Sequence, residues 1–410
     1  MSVPECSSAA EAVAAELPPL QLKRGEDRRL RAGHLWVFSN EVDTAATPLT
    51  DLPTGALVRI MSERAQFLGY GYVNPHALIC ARILSRSPVH PPDRSLLTHR
   101  LKLALALRER LYPQPYYRWV FGESDGLPGL VLDRYGDVIV GQIATAGMEA
   151  LRAEVEAAVV AVVAPRALVW KNDGGARELE QLPRQLLTPI GRAPDELRVS
   201  ESGLNFVVPL ASAQKTGWFY DQRANREQWR ALLPRGARVL DVCCYVGAWA
   251  ISALSQGATS AVCVDASEAA LAVASRNAVA NGVALTVKRG DAFEVLDELM
   301  RAGERFDAIV LDPPAFIKRK KDIARGQAAY RKLNQMAMRL LERDALLVSC
   351  SCSYHLGADE LVTLIQSAAR HSGRFVQILH SGGQAADHPI HPAIPETRYL
   401  KAFFCRATRE

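Results

Sequence analysis

Two sets of residues in this sequence could do chemistry together. The first is a cysteine, Cys352, in the run Ser349-Cys350-Ser351-Cys352-Ser353, just past the strand-like segment Ala345–Ser349. The second is a series of acids, Asp241, Asp265, Asp291 and Asp312, each in or directly after a short apolar segment. Those segments read as successive buried strands of one sheet, which places all four carboxylates on one sheet edge. A packed core has no use for them. A phosphate ligand would be repelled there, whereas a cationic, phosphate-free adenosine cofactor would not, and S-adenosylmethionine fits that description. Asp265, closing the second strand, is placed to take ribose hydroxyls. A cysteine on the same edge is placed as a nucleophile. Its thiolate could add to C6 of a pyrimidine and make C5 reactive towards a methyl sulfonium. Asp312, from the neighbouring strand end, would supply the acid near N3. A base must leave its helix, or come from an open loop, to reach such a site.

The elements that must position these groups centre on Arg238–Ser252. Arg238–Val242 is a strand, Gly247 breaks the run, and Ala248–Leu254 has the spacing of a helix packed back on it. Taken alone this is an ordinary strand-to-helix turn. Ala261–Asp265, Leu285–Lys288, Phe306–Leu311 and Ala345–Ser349 supply four further strands, so the expected fold is an α/β Rossmann-like sheet. Gln214–Arg223 precedes the first strand and is expected to fold across the cofactor corner. Its Lys215, Asp221, Gln222 and Arg223 read either as ligand-binding groups or as a local salt-bridge cluster. After Asp312-Pro313-Pro314 come Lys318, Arg319, Lys320 and Lys321, then Arg325, Arg331 and Lys332, with Asp322 the one acid interspersed. That spacing suits a track for a phosphate backbone.

Upstream, residues to about Glu16 read as a frayed helix or mobile tail. From Leu20, short strands at Leu57–Met61, Phe67–Tyr72 and Ile79–Leu84 with glycine turns suggest a small β-barrel. Lys23, Arg24, Arg28, Arg29 and Arg31 crowd beside aromatics there, as an RNA grip or as a solvated face. Ser85–Pro92 reads as a linker, Leu96–Leu111 as a helix, and Leu130–Arg134 with Val138–Gln142 as a hairpin. A helix at Glu149–Val163 and a strand at Ala167–Lys171 complete a central α+β unit without catalytic groups. The expected boundaries are a tail at 1–19, a barrel at 20–88, a central domain at 93–200 and the large sheet at 201–410.

Composition agrees with a multidomain enzyme. The chain has 410 residues, 49% of them hydrophobic, and a net charge of +5. No apolar run approaches the ~20 residues that span a membrane. Eight scattered cysteines without metal-ligand spacing suit reduced thiols in a cytoplasm and imply no metal. Cys243-Cys244 reads as core packing.

The chain resembles the S-adenosylmethionine-dependent methyltransferases that make 5-methylcytosine in 23S ribosomal RNA. The resemblance runs from about Leu20 onward and rests on GHLWVFSNEV (33–42), GESDGLPGLVLDR (122–134), KTGWFYDQRANR (215–226), DPPAF (312–316), SCSCS (349–353) and ADHPIHPAIPETRYLK (386–401). It implies an N-terminal PUA domain, a central α+β domain and a Rossmann-like catalytic domain. It implies Cys352 as nucleophile with Asp312, and a cofactor site of Gln222, Arg223, Asp241, Tyr245, Gly247, Asp265, Asp291, Ala292, Asp312 and Pro313. The implied partner is 23S RNA or a large-subunit assembly intermediate, gripped by Lys23, Arg24, Arg28, Arg29 and Lys318–Lys321, with a homodimer as an allowed assembly. Two positions depart from the pattern. Pro313 stands where other RNA cytosine methyltransferases carry a second cysteine, and Tyr354 stands in place of a glycine. Cys350 should face away from Cys352 if both are extended. Competing readings are a guanine-nitrogen methyltransferase, which needs no cysteine, and a non-catalytic RNA-binding or ribosome-assembly protein. A dehydrogenase is disfavoured because the turn lacks repeated glycines.

Overall fold

The computed structural model of the chain describes residues 17–409, so the tail expected up to Glu16 lies outside the described residues. The described chain forms two compact units. The first runs to Asp195 and includes Gln214–Thr216 and Asp387–Thr397; the second takes Glu196–Ala213, Gly217–Ala386 and the chain from Arg398.

The first unit opens with a curled five-stranded sheet of β1 (Pro19–Gln21), β2 (Trp36–Phe38), β3 (Leu57–Met61), β4 (Phe67–Val73) and β5 (Ile79–Ser85), in the order β1-β3-β4-β5-β2. Its two edges meet through a bridge between Leu22 and Val42 and a bond from Lys23 N–H to Glu41 O of 2.8 Å. Inward positions alternate along β3, where Val58 and Ile60 are buried, as a half-buried strand requires. A short helix, α1 (Arg28–Arg31), carries the basic cluster.

A second five-stranded sheet follows. It comprises β6 (Tyr116–Phe121), β7 (Leu130–Tyr135), β8 (Val138–Ile143), β9 (Ala167–Asn172) and β10 (Gln185–Ile190), ordered β10-β9-β8-β7-β6. The helices α2 (Arg94–Leu111), α3 (Ala146–Ala150) and α4 (Arg152–Val163) accompany it. The expected hairpin is present, and its two-residue turn uses Gly136 at φ +68°. The single helix expected over Glu149–Val163 is instead two helices meeting at Leu151. Gly147 lies so close to Tyr72 that a Cβ would sit 1.9 Å from the ring. Tyr72 and Leu84 of the first sheet share one core with Trp119 and Trp170 of the second. The two sheets are therefore one packed body, and Ser85–Pro92 does not separate them.

Asp387–Thr397 completes that body. Arg108 is fully buried, chelated by Asp125 at 2.6 and 2.7 Å, and donates to Asp387 O at 2.8 Å. Asp387 Oδ2 accepts from Arg118 N at 3.0 Å.

The second unit begins with a hairpin of β11 (Glu196–Glu201) and β12 (Leu204–Pro209) and a helix α5 (Arg223–Leu232). Then β13 (Arg238–Val242), α6 (Ala248–Leu254), β14 (Ser260–Asp265), α7 (Glu268–Ala280), β15 (Thr286–Arg289), α8 (Ala292–Arg301) and β16 (Phe306–Leu311) alternate. The unit closes with α9 (Ile323–Leu340), β17 (Leu341–Ser351), α10 (Ala358–His371), β18 (Phe375–Gly382) and β19 (Lys401–Thr408). The sheet order is β15-β14-β13-β16-β17-β19-β18. Strands β13 to β17 are parallel, and β19 pairs antiparallel with both β17 and β18. This is a Rossmann-like sheet with two strands beyond the five expected. Leu240, Ile309 and Leu347 pack on one face, and Val239, Val310 and Val348 on the other with Trp229 and Trp249. Burial on both faces explains the unbroken apolar runs. Among the described residues, no helix is long and apolar enough to cross a membrane.

Candidate active site

The parallel strands end on one edge, and the last residues of β13 and β14 and the turns after β15 and β16 carry the acids. The turn after β13 winds through three left-handed residues, Cys243 (φ +64°), Tyr245 (φ +50°) and Gly247 (φ +82°). Left-handed backbone is costly for residues other than glycine, and here it is held by bonds on every side. Cys243 N–H and Cys244 N–H both donate to Val264 O, at 2.8 and 3.0 Å, and Tyr245 N–H donates to Asp265 Oδ2 at 2.9 Å. The Tyr245 hydroxyl reaches Gly217 O at 2.9 Å. Cys244 is core, as the sequence suggested. Cys243 is partly buried in strained backbone, and burial with the surrounding acids pushes its thiol up.

Asp241 lies wholly buried under this turn. Its Oδ2 accepts from Ala250 N–H at 3.1 Å, anchoring the start of α6, and its Oδ1 has no hydrogen-bond partner. Removal from water raises its carboxyl to about 8; the Ala250 N–H opposes this, and Asp312 and Asp265 add to it. Its place is structural support for the corner. Asp265 is half-buried, braces Tyr245 through one oxygen and caps Ser267 N–H at 2.9 Å through the other. Asp291 is exposed and caps α8 through Phe293 N–H, with Ala292 beginning the helix.

Asp312, half-buried after β16, is the most organised of the four. Gln222 Nε2 donates to its Oδ1 at 2.9 Å and Trp249 Nε1 to its Oδ2 at 3.2 Å. Asn225 Nδ2 in turn fixes Gln222 Oε1 at 2.6 Å. Burial raises the Asp312 carboxyl to about 6, against the pull of the Trp249 bond.

Cys352 follows β17 directly, and its Sγ lies 3.9 Å from the carbonyl of the buried Pro313. It is half-exposed, whereas Cys350 is fully buried and its thiol is pushed far up, first by burial and then by the Asp312 charge. A hydroxyl network shapes this turn. Tyr330 OH meets both Ser351 Oγ and Ser353 Oγ at 3.0 Å, and Ser353 Oγ accepts from Ile317 N–H at 3.1 Å. The Cys352 turn and the turn running on from Asp312 are thus tied to one helix residue. Tyr354, next along, is 41% exposed.

The expected lid over Gln214–Arg223 is divided. Gln214–Thr216 belongs to the first unit, and the remainder to the second. Two of its charges reach partners outside the segment. Arg223 pairs with the buried Glu201 at 3.4 Å, beside Arg226 at 2.6 Å, and Asp221 Oδ2 accepts from Tyr399 OH at 2.5 Å.

The basic candidates also separate. Lys318, Arg319, Lys320 and Lys321 are all exposed, with Arg319 3.4 Å from Asp322. Lys23, Arg24 and Arg28 are exposed. Arg29 instead donates to Glu41 at 2.6 Å and lies over the Phe38 ring, holding its own sheet together. Trp249, Tyr330, Ser353 and Lys401 were not anticipated. Only the pairing of β17 with β19 and the return of α9 bring the last three together, and no local pattern announces that.

The accessible acids offer acceptors only. They suit hydroxyls, an ammonium group and a sulfonium, and would repel phosphates, so the residues fit S-adenosylmethionine. Comparison with known proteins agrees. Residues 20–86 match a PUA-like domain, and residues 189–406 match an S-adenosylmethionine-dependent methyltransferase. Ribosomal RNA large subunit methyltransferase I of Shigella boydii serotype 18 is 34% identical over 394 residues, covering 94% of this chain and 98% of that protein. The protein of that name from Salmonella arizonae is 33% identical over 399 residues, covering 95% and 97%. A candidate methyltransferase solved in complex with SAH shares the fold at a TM-score of 0.81, with 20% identity over 95% of this chain and 100% of that one. Since the methyltransferase match covers residues 189–406 and the relatives span nearly the whole chain, the chain belongs to the S-adenosylmethionine-dependent methyltransferase family and is an enzyme that uses S-adenosylmethionine.

Proposed function

We propose that the enzyme methylates C5 of a cytosine in 23S ribosomal RNA through a covalent bond between Cys352 and C6. The observation that carries this reading is the contrast at the end of β17. Cys352 is half-exposed beside the Asp312 turn, while Cys350, two residues earlier, is sealed in the core. A nitrogen methyltransferase would have no use for a thiol there. The names of the relatives support ribosomal RNA as substrate.

In this mechanism the Cys352 thiolate adds to C6, and the electron pair of the C5–C6 double bond moves into the ring. Asp312, held by Gln222 and Trp249, has its carboxyl raised by burial to about 6, closer to neutral pH than a free aspartate. It gives a proton to N3, which makes C5 the nucleophile. S-adenosylmethionine supplies the methyl group as an electrophile. Loss of the C5 proton to a base then restores the double bond, expels the thiolate and returns the N3 proton to Asp312. The curled sheet at 20–88 and the exposed Lys318–Lys321 segment would hold the RNA backbone, with 93–200 orienting it and 201–410 carrying out the chemistry.

The test is nucleoside mass spectrometry of unmodified 23S RNA treated with the enzyme and methyl-labelled S-adenosylmethionine. Label in 5-methylcytosine, lost in Cys352→Ala, is the expected result. Label in a guanosine, or full turnover by Cys352→Ala, would overturn the covalent mechanism.

A further inference from the structure

Lys401 is the first residue of β19 and stands opposite Ser351 in the antiparallel pairing with β17. Its side chain is almost wholly buried, with 9% of the residue exposed. Nζ donates to Ser353 O at 2.6 Å and to Tyr399 O at 2.9 Å. Both bonds go to peptide carbonyls, which leave the positive charge uncancelled and one N–H still to place. A buried ammonium without a carboxylate partner is costly, and a nonpolar residue could fill this space more cheaply. The ammonium is bonded to the carbonyl of Ser353, the residue directly after Cys352.

We infer that Lys401 is a positioning residue for Cys352: its fixed ammonium holds the cysteine turn and stabilises the thiolate. The inference rests on Cys352 being the nucleophile proposed above. Its electrostatics are reciprocal. Burial lowers the Lys401 amine to about 8, the charged form of Cys352 raises it again, Glu360 raises it further and Arg398 lowers it. An interaction by which a thiolate favours the ammonium must favour the thiolate by the same amount. The other groups around the thiol act in the opposite sense. Tyr330 from α9 and Cys350 from β17 are both disfavoured as anions by a Cys352 charge, and Asp312 and Asp221 add negative charge near Cys350. Lys401 is a cation that counters these negative charges.

The test needs no RNA. Alkylation of Cys352 by iodoacetamide is followed by peptide mass spectrometry against pH in the full chain, its Lys401→Gln and Lys401→Met variants and its Lys401→Arg variant. The midpoint should move up by about one pH unit in the two neutral variants, slowing alkylation at pH 7 about tenfold. Arginine should restore most of the rate. In turnover assays the neutral variants should lose kcat while KM for S-adenosylmethionine holds. Lys401→Gln retains a hydrogen-bond donor for one carbonyl, so it serves if the methionine variant does not fold. An unchanged midpoint in a folded neutral variant overturns the role of Lys401, even if Cys352→Ala is inactive. An active Cys352→Ala enzyme overturns the covalent mechanism instead, whatever the alkylation midpoints.

Discussion

The residues of the cofactor corner differ in what water does to them. Asp241 is fully buried with one oxygen unpartnered, and its carboxyl is raised to about 8. An aspartate in the unfolded chain titrates near about 4, so between those values the folded protein holds the extra proton. This contribution to stability is complete below about 4 and is lost as the pH rises through about 8. Melting temperatures of the cofactor-free enzyme should therefore fall more steeply over that window than those of Asp241→Asn; parallel curves for the two would refute this. Asp312 makes a different prediction because the proposed reaction gives it the proton for N3. Asp312→Asn keeps an acceptor for Gln222 or Trp249 but cannot pass a proton to N3. Turnover should fall about 10²-fold or more in single-turnover assays, with a smaller change in the melting temperature.

At the scale of elements, the site depends on turns being held against their own preferences. Tyr330 on α9 is the sole side chain that bonds to both Ser351 and Ser353 among the interactions described above. Tyr330→Phe should cost about 1 kcal/mol of stability for the lost hydroxyl bonds, read by urea denaturation. Slower methyl transfer at unchanged cofactor affinity should accompany it; an unaltered rate would mean that the network only fills space. Legibility from sequence divides along the same line. The strands β13, β14, β16 and β17, and the acids at their ends, were readable because burial on both faces leaves continuous apolar runs. The conformation of Cys243 and Tyr245 was not, since nothing in the residue type signals a left-handed backbone imposed by hydrogen bonds to Val264 and Asp265. β18 has no buried residue and no period-two alternation, so it carried no strand signal. Lys401 closes one of the motifs that carry the resemblance, but its place opposite Ser351 follows only from the pairing of β19 with β17.

For the whole molecule, charge placement decides the expected response to RNA. Reversing Lys318, Arg319, Lys320 and Lys321 to glutamate should weaken RNA binding and flatten its dependence on salt, while calorimetry with S-adenosylmethionine remains unchanged; equal loss of both affinities would make the segment structural. In the first unit, reversing Arg24 and Arg28 should leave the melting temperature unchanged, whereas reversing Arg29 should lower it, because Arg29 pairs with Glu41. The interleaving of the two units has a consequence for synthesis. Asp387–Thr397 belongs to the body built mainly from the first 195 residues, and Arg108 and Arg118 both bond to Asp387. A ribosome releasing this chain from its N-terminus therefore delivers the last piece of the first unit after almost all of the second has emerged. The N-terminal half, made by residue 195, waits incompletely assembled while residues 196–386 are added.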